Sequence, residues 1–182
     1  GCACDIKPGP LQAAQKNIER AGFTGRLQTR LTDGLDGLED CGLTDIIIAG
    51  MGGEVIAGIL ERAVFLQNPD LRLILQPQSD IPHFRRFVMQ NGYQIVQEEM
   101  ILEDGKFYPI MKVVQHEGEQ PAVWSREEEM FGRLLLERKH PALKLYLERE
   151  LRIRSEISAQ LESASGDVAK KRRMEVEEEK QL

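Results

Sequence analysis

The sequence predicts an α/β protein with a largely parallel sheet, followed by an antiparallel pair of helices. Three observations carry that prediction. Short apolar runs alternate with helical patterns through the first two thirds of the chain, the layout that pairs strands in parallel. Two longer β runs flank Glu103-Asp104-Gly105-Lys106, a hairpin signal that adds an antiparallel edge. From about Trp124 onward, Leu, Glu, Arg and Lys dominate at helical spacing.

Each element has its own signal. Cys2-Ala3-Cys4 reads as the end of a strand, broken by Lys7-Pro8-Gly9-Pro10. Leu11 to Ala21 has a helical pattern, with Gly22 placed to end it. Arg26 to Leu31 alternates like a strand. Asp45 to Ala49, with its three isoleucines, reads as a buried strand, and Glu54 to Ala63 as the helix after it. Leu71 to Leu75 is a further buried strand, and Pro82 to Asn91 a helix closed by Gly92. Tyr93 to Leu102 and Phe107 to Val114 form the hairpin. Arg133 to Glu162 is expected as one helix. A break at Ser165-Gly166-Asp167 then turns the chain into a second helix, Val168 to Leu182. The expected division is a sheet domain at 1–123 and a helical hairpin at 124–182.

The chain has 182 residues, 41% hydrophobic and 30% charged, ordinary values for a globular protein with a real core. No run of about 18 apolar residues is present, so no membrane span is expected. The start lacks the basic and apolar regions of a secretory signal. Cys2, Cys4 and Cys41 have no CxxC spacing and read as reduced thiols of a cytoplasmic protein. His83, His116 and His140 are scattered, so no metal site is expected. The net charge of −6 is uneven. Residues 1–125 carry 11 basic against 17 acidic side chains, whereas Arg138 to Arg173 carries 10 basic against 5 acidic. Such a segment suits nucleic-acid phosphates, although composition alone favours a solvated helical face.

The chemistry-bearing residues lie where strands end. Asp5 follows the first strand, a position that accepts hydrogen bonds from ribose hydroxyls in nucleotide-binding α/β folds, or simply caps a turn. Asp33-Gly34 follows the second strand as a ligand contact or a plain turn. Ala49-Gly50-Met51-Gly52-Gly53 follows the central strand, and its bare backbone admits close approach of a ligand. It has no GKS or GxGxxG, which argues against nucleoside triphosphates and dinucleotides. Gln76-Pro77 ends the next strand with an amide donor and acceptor. Tyr108, past the hairpin tip, offers a ring for base stacking or strand packing.

The ordered set ACDIKPGPL, TDGL, DIIIAGMGGEVI, LILQPQ and ILEDGKFYPI, followed by the helical hairpin, resembles the bacterial tRNA (adenine-N1)-methyltransferases that modify adenine 22 in the D-arm of tRNA. The resemblance implies a Rossmann-like class I methyltransferase sheet, S-adenosylmethionine as cofactor and tRNA as partner, in a monomer or weak dimer. It implies cofactor contacts at Asp5, Ile6, Asp33, Gly34, Ala49 and Gly50, and a catalytic set of Gly50, Met51, Gly52, Gly53 and Gln76. It implies tRNA contacts at Tyr108 and, on a C-terminal coiled coil, at Lys144, Arg149, Arg152, Lys170, Lys171, Arg172 and Arg173. The family's N-terminal segment, with its acidic glycine-bearing cofactor loop, has no counterpart in these residues. The expectation is therefore a chain that lacks its first strand and that loop, with a sheet weakened at the gap and no activity as written. The other readings are a non-catalytic RNA-binding or protein-interaction module and a small-molecule methyltransferase.

Overall fold

The computed structural model describes residues 1–116, 118, 123–162 and 167–181. Strands β1 (Cys2–Asp5) and β2 (Gln28–Leu31) pair in parallel, joined by helix α1 (Pro8–Arg20). Pro8 opens α1, where a missing N–H costs nothing, and Gly22 at φ +73° ends it.

A second sheet holds β3 (Asp45–Met51), β4 (Arg72–Pro77), β5 (Tyr93–Glu103) and β6 (Lys106–Gln115) in the order β3-β4-β6-β5. β3 and β4 are parallel, and β6 is antiparallel to both of its neighbours. The predicted parallel pairing and closing hairpin are both present. Asp104 and Gly105 take φ of +48° and +73° at the hairpin tip, as a two-residue primed turn requires. Helices α2 (Gly53–Arg62) and α3 (Ile81–Gln90) follow β3 and β4, with a 3-10 turn at Val64–Gln67.

The core is centred on β4 and β6. Leu73, Leu75, Met111 and Val113 are sealed there, under Ile56 of α2 and Val88 of α3. Each such side chain contributes about 1.5–3 kcal/mol of burial. β3 departs from the buried strand expected. Ile46 and Ile48 enter the core, but Ile47 is 69% exposed. Among the described strands β3 pairs with β4 alone, and α2 packs over the Ile46/Ile48 side.

The helix expected over Arg133 to Glu162 is broken. α4 (Arg126–Phe131) precedes it, started by a capping box between Ser125 and Glu128. Gly132, at φ +90°, separates α4 from α5 (Arg133–Glu137). α5 ends with Lys139 at φ +49°, where Lys139 N–H donates to Leu136 O and His140 N–H to Leu135 O. That is a Schellman ending, and Pro141 then starts α6 (Pro141–Glu162). α7 (Asp167–Lys180) runs back along α6: Arg154 donates to Glu179 and Ser158 to Glu177. Of the expected break, Ser165 and Gly166 lie outside the described residues. A second apolar cluster, Met100, Leu135 and Leu143 with Phe107 and Tyr146 beside them, joins the sheet to α5 and α6.

Candidate functional site

The glycine turn sits between the end of β3 and the start of α2, facing the loop after β4. Gly50 takes φ +80° and donates its N–H to Gln76 Oε1 at 2.9 Å. Gln76 Nε2, on the same amide, is shut off from solvent and has no hydrogen-bond partner. An orphan donor of this kind costs about 1–3 kcal/mol unless a ligand supplies an acceptor.

The three glycines have different reasons. A Cβ on Gly52 would lie 2.9 Å from Ser79 Oγ, and one on Gly53 would lie 2.9 Å from Ser79 O and 3.0 Å from Phe84 Cβ. Gly53 N–H also donates to Ser79 O, and Gln78 N–H to Met51 O. What approaches the backbone at Gly52 and Gly53 is therefore the protein's own loop from Gln78 to Asp80. Gly50 differs, since the nearest atom to its would-be Cβ is Gln78 Nε2 at 4.0 Å. Ala49, Gly50 and Met51 remain exposed at the strand end. The same loop places Asp80 at φ +52°, with its carboxylate 2.5 Å from His83 Nδ1 at the start of α3.

The other candidates are more dispersed. Asp5 accepts a hydrogen bond from Lys7 N–H at 2.7 Å, the turn-capping role open to it, and Ile6 beside it is exposed. Asp33 is paired with Arg62 at 3.2 Å, and a Cβ on Gly34 would lie 2.9 Å from Ile59. Both partners lie in the C-terminal half of α2, about 9–14 Å along the helix from Gly53. The structure therefore brings Gly50, Met51 and Gln76 together and leaves Asp33-Gly34 apart from them.

On the C-terminal helices, Lys170 and Lys171 are exposed. Lys144 pairs with Glu148, and Arg172 with Glu175. Arg173 also has a partner. Arg152 is exposed on α6. Arg149 turns inward, with its guanidinium 5.1 Å from the Phe107 ring centre and donating to Gly105 O. Tyr108 is half-buried on β6 opposite Ile101. No helix among the described residues is long and apolar enough to cross a membrane, and none of their His, Cys, Asp and Glu side chains form a metal-holding group of three.

The TrmK family model, described as tRNA (adenine(22)-N(1))-methyltransferase, matches residues 1–181. The chain belongs to the TrmK family. It is 34% identical over 122 residues to the tRNA (adenine(22)-N(1))-methyltransferase of Bacillus subtilis, an alignment covering 67% of this chain and 50% of that protein. The chain spans about half the length of the curated relatives it matches, or less. A Streptococcus pneumoniae structure superposes with a TM-score of 0.76 at 31% identity, covering 97% of this chain and 79% of that one. It is a proposed tRNA (m1A22) methyltransferase in complex with S-adenosyl-L-methionine. The B. subtilis TrmK crystal structure superposes with a TM-score of 0.74 at 26% identity, covering 99% of this chain and 78% of that one. The chain thus has the α/β fold of class I S-adenosylmethionine methyltransferases.

Proposed function

We propose that this protein methylates N1 of an adenine in tRNA, position 22 by family. The single observation that carries this reading to the site is the unpartnered Gln76 Nε2 beside the open Gly50 turn. A glutamine amide matches the N7 acceptor and N6 donor of adenine as a bidentate pair. Nε2 has no partner within the described residues but is shut off from solvent, so the Gly50 turn must open slightly to present it to N7, and Oε1 keeps a second lone pair after accepting from Gly50 N–H. Holding the base by that edge leaves N1 unencumbered. N1 already has a lone pair, so the residues must position it more than deprotonate it.

S-adenosylmethionine supplies an electrophilic methyl group when bound. The residues present fit it, since Ala49 and Gly50 offer exposed backbone at a strand's carboxyl end, where open α/β sheets bind ligands. Asp5 and Ile6, at the end of β1, complete the proposed cofactor contacts. The target base reaches the turn by flipping out of the folded tRNA. The packed α6–α7 pair acts as a coiled coil that grips tRNA phosphates, with Lys170, Lys171 and Arg152 as its freest cations. The protein works in the cytoplasm, as a monomer or weak dimer.

The test is Gln76→Ala in the full chain. It should lower kcat/KM for tRNA by about 5- to 150-fold while leaving calorimetric S-adenosylmethionine affinity unchanged. Unchanged methylation would remove Gln76 from base recognition. For the helices, charge reversal at Lys170 and Lys171 should weaken tRNA binding and reduce its salt slope by about one unit for each phosphate no longer neutralised. An unchanged slope would take that patch out of the interface.

A further inference from the structure

The seam between the sheet and the C-terminal helices is built around two charges where apolar side chains would be expected. Arg85 of α3 and Glu98 of β5 are each 1% exposed. Arg85 Nε donates to Glu98 Oε1 at 2.9 Å. Arg85 Nη1 donates to Glu129 O and Met130 O at 2.8 and 2.9 Å. Glu98 Oε2 accepts from Leu134 N–H at 3.0 Å, and Arg138 donates to Glu98 O. The pair is therefore satisfied largely by the backbone of α4 and α5. Burial pulls the Arg85 guanidinium below its ordinary value, and the charge and hydrogen bond of Glu98 oppose that pull.

Burying two charges is costly, and an apolar pair of similar volume often holds a fold at least as well. What an apolar pair lacks is direction. The Met100-Leu135-Leu143 cluster supplies non-directional attraction across the same seam. The ion pair instead specifies where the last turn of α4 and the first of α5 must stand. The path of the chain is shaped around it, because a Cβ on Gly132 would lie 2.6 Å from Glu98 Oε1 and 2.8 Å from Arg85 Nη2.

The other end of the same helix touches the site. Ser79 and Asp80, which lead into α3, pack against Gly52 and Gly53, and Phe84 sits next to Arg85. From Asp80 to Arg85 is about 7.5 Å along the axis. One short rigid element thus refers the C-terminal helices to the glycine turn.

We propose that Arg85 and Glu98 are positioning residues for tRNA: they set the angle at which α6 and α7 leave the sheet, and so place a gripped tRNA relative to Gln76 and Gly50. This rests on the tRNA-methylating reading above. A misplacement near 1 Å far from the chemistry is enough to lower a rate by about 100-fold.

The test uses the full chain with the double substitution R85M/E98L, which keeps volume and removes direction, and with E98Q should the first fail to fold. Spin labels on unnatural residues at the positions of Gln12 on α1 and Met174 on α7, both exposed, report the angle by pulsed electron resonance. A positioning role predicts a broadened or shifted distance distribution, a fall in tRNA kcat/KM of about 10- to 100-fold, and an unchanged S-adenosylmethionine dissociation constant. A folded variant with the parent's distance distribution and tRNA kinetics overturns the proposal. So does equal loss of cofactor and tRNA binding, which marks a merely structural pair. If the parent chain neither binds nor methylates tRNA, the functional reading has failed, and the distance measurement still decides whether the pair sets the angle.

Discussion

Replacing Gly132 by alanine loads one methyl group onto a tightly constrained point of the chain. Gly132 sits at φ +90°, a backbone region that costs an L residue about 1–3 kcal/mol. The new Cβ would stand 2.6 Å from Glu98 Oε1, against about 3.4 Å for ordinary contact, so the carboxylate has to retreat by about 0.8 Å. The Arg85–Glu98 bond, now 2.9 Å, cannot absorb that retreat and remain a hydrogen bond. Breaking a buried ion pair costs about 3–5 kcal/mol when its members stay uncompensated, and partial relaxation of the α4–α5 link recovers some of this. A net loss of about 3–5 kcal/mol follows, or a Tm lower by roughly 6–20 °C for a chain of this size. Calorimetry with parallel urea titration reads both quantities. A Tm within about 2 °C of the parent would mean that the seam is slack and that the buried pair constrains nothing.

Two further outcomes follow from the charges and thiols. Arg86 hydrogen-bonds Glu129 and holds its carboxyl below the usual 4.5, so this stabilisation is complete above that pH and is lost as pH falls through the depressed folded-state value. Glu129→Gln should therefore lower Tm at pH 7, and the gap from the parent should close on acidification below about pH 4.5; a gap that stays constant with pH would exclude the ion pair as its source. Burial, with Cys2 beside it, pushes the Cys4 thiol up to about 11, which leaves about one thiolate in a thousand at pH 8. Timed iodoacetamide labelling read by mass spectrometry should modify the exposed Cys41 well before Cys4, and equal rates would show that the β1 thiol is not shielded.

Much of this architecture is written locally. The three isoleucines of β3, the Glu103-to-Lys106 tip and the glycines after β3 name their elements because each signal is complete within a few residues. The helix start at Ser125 with Glu128 and the stop before Pro141 are not among the expected boundaries, although both signals are local. The leucine spacing runs across Pro141 in phase, however, so periodicity alone joins what the Schellman ending separates. The exposure of Ile47 depends on which strands flank β3, and no property of β3 itself reports that.

The site divides in the same way. Gln76 and Gly50 are recognisable from residue type and their places at strand ends. Gly52 and Gly53 announce a close approach but not its source, which lies about 27 residues onward at Ser79. Arg85 looks in sequence like any solvated arginine in a helix beside Arg86. Only the arrival of Glu98 and the α4–α5 backbone turns it into a buried anchor.

The two apolar clusters are unequal, and this bears on how the molecule opens. β4 and β6 share a core that also draws on α2, α3 and β5, so their amides should exchange with solvent only on global unfolding. The outer helices depend on a three-residue buried cluster, one satisfied ion pair and, along α7, the single buried side chain Val176 among those described. α6 and α7 should therefore exchange deuterium by small, frequent openings while the sheet stays closed. A nucleic acid held on those helices would slow that exchange far from the turn where chemistry is proposed, giving tRNA binding a readout that needs no methyl transfer.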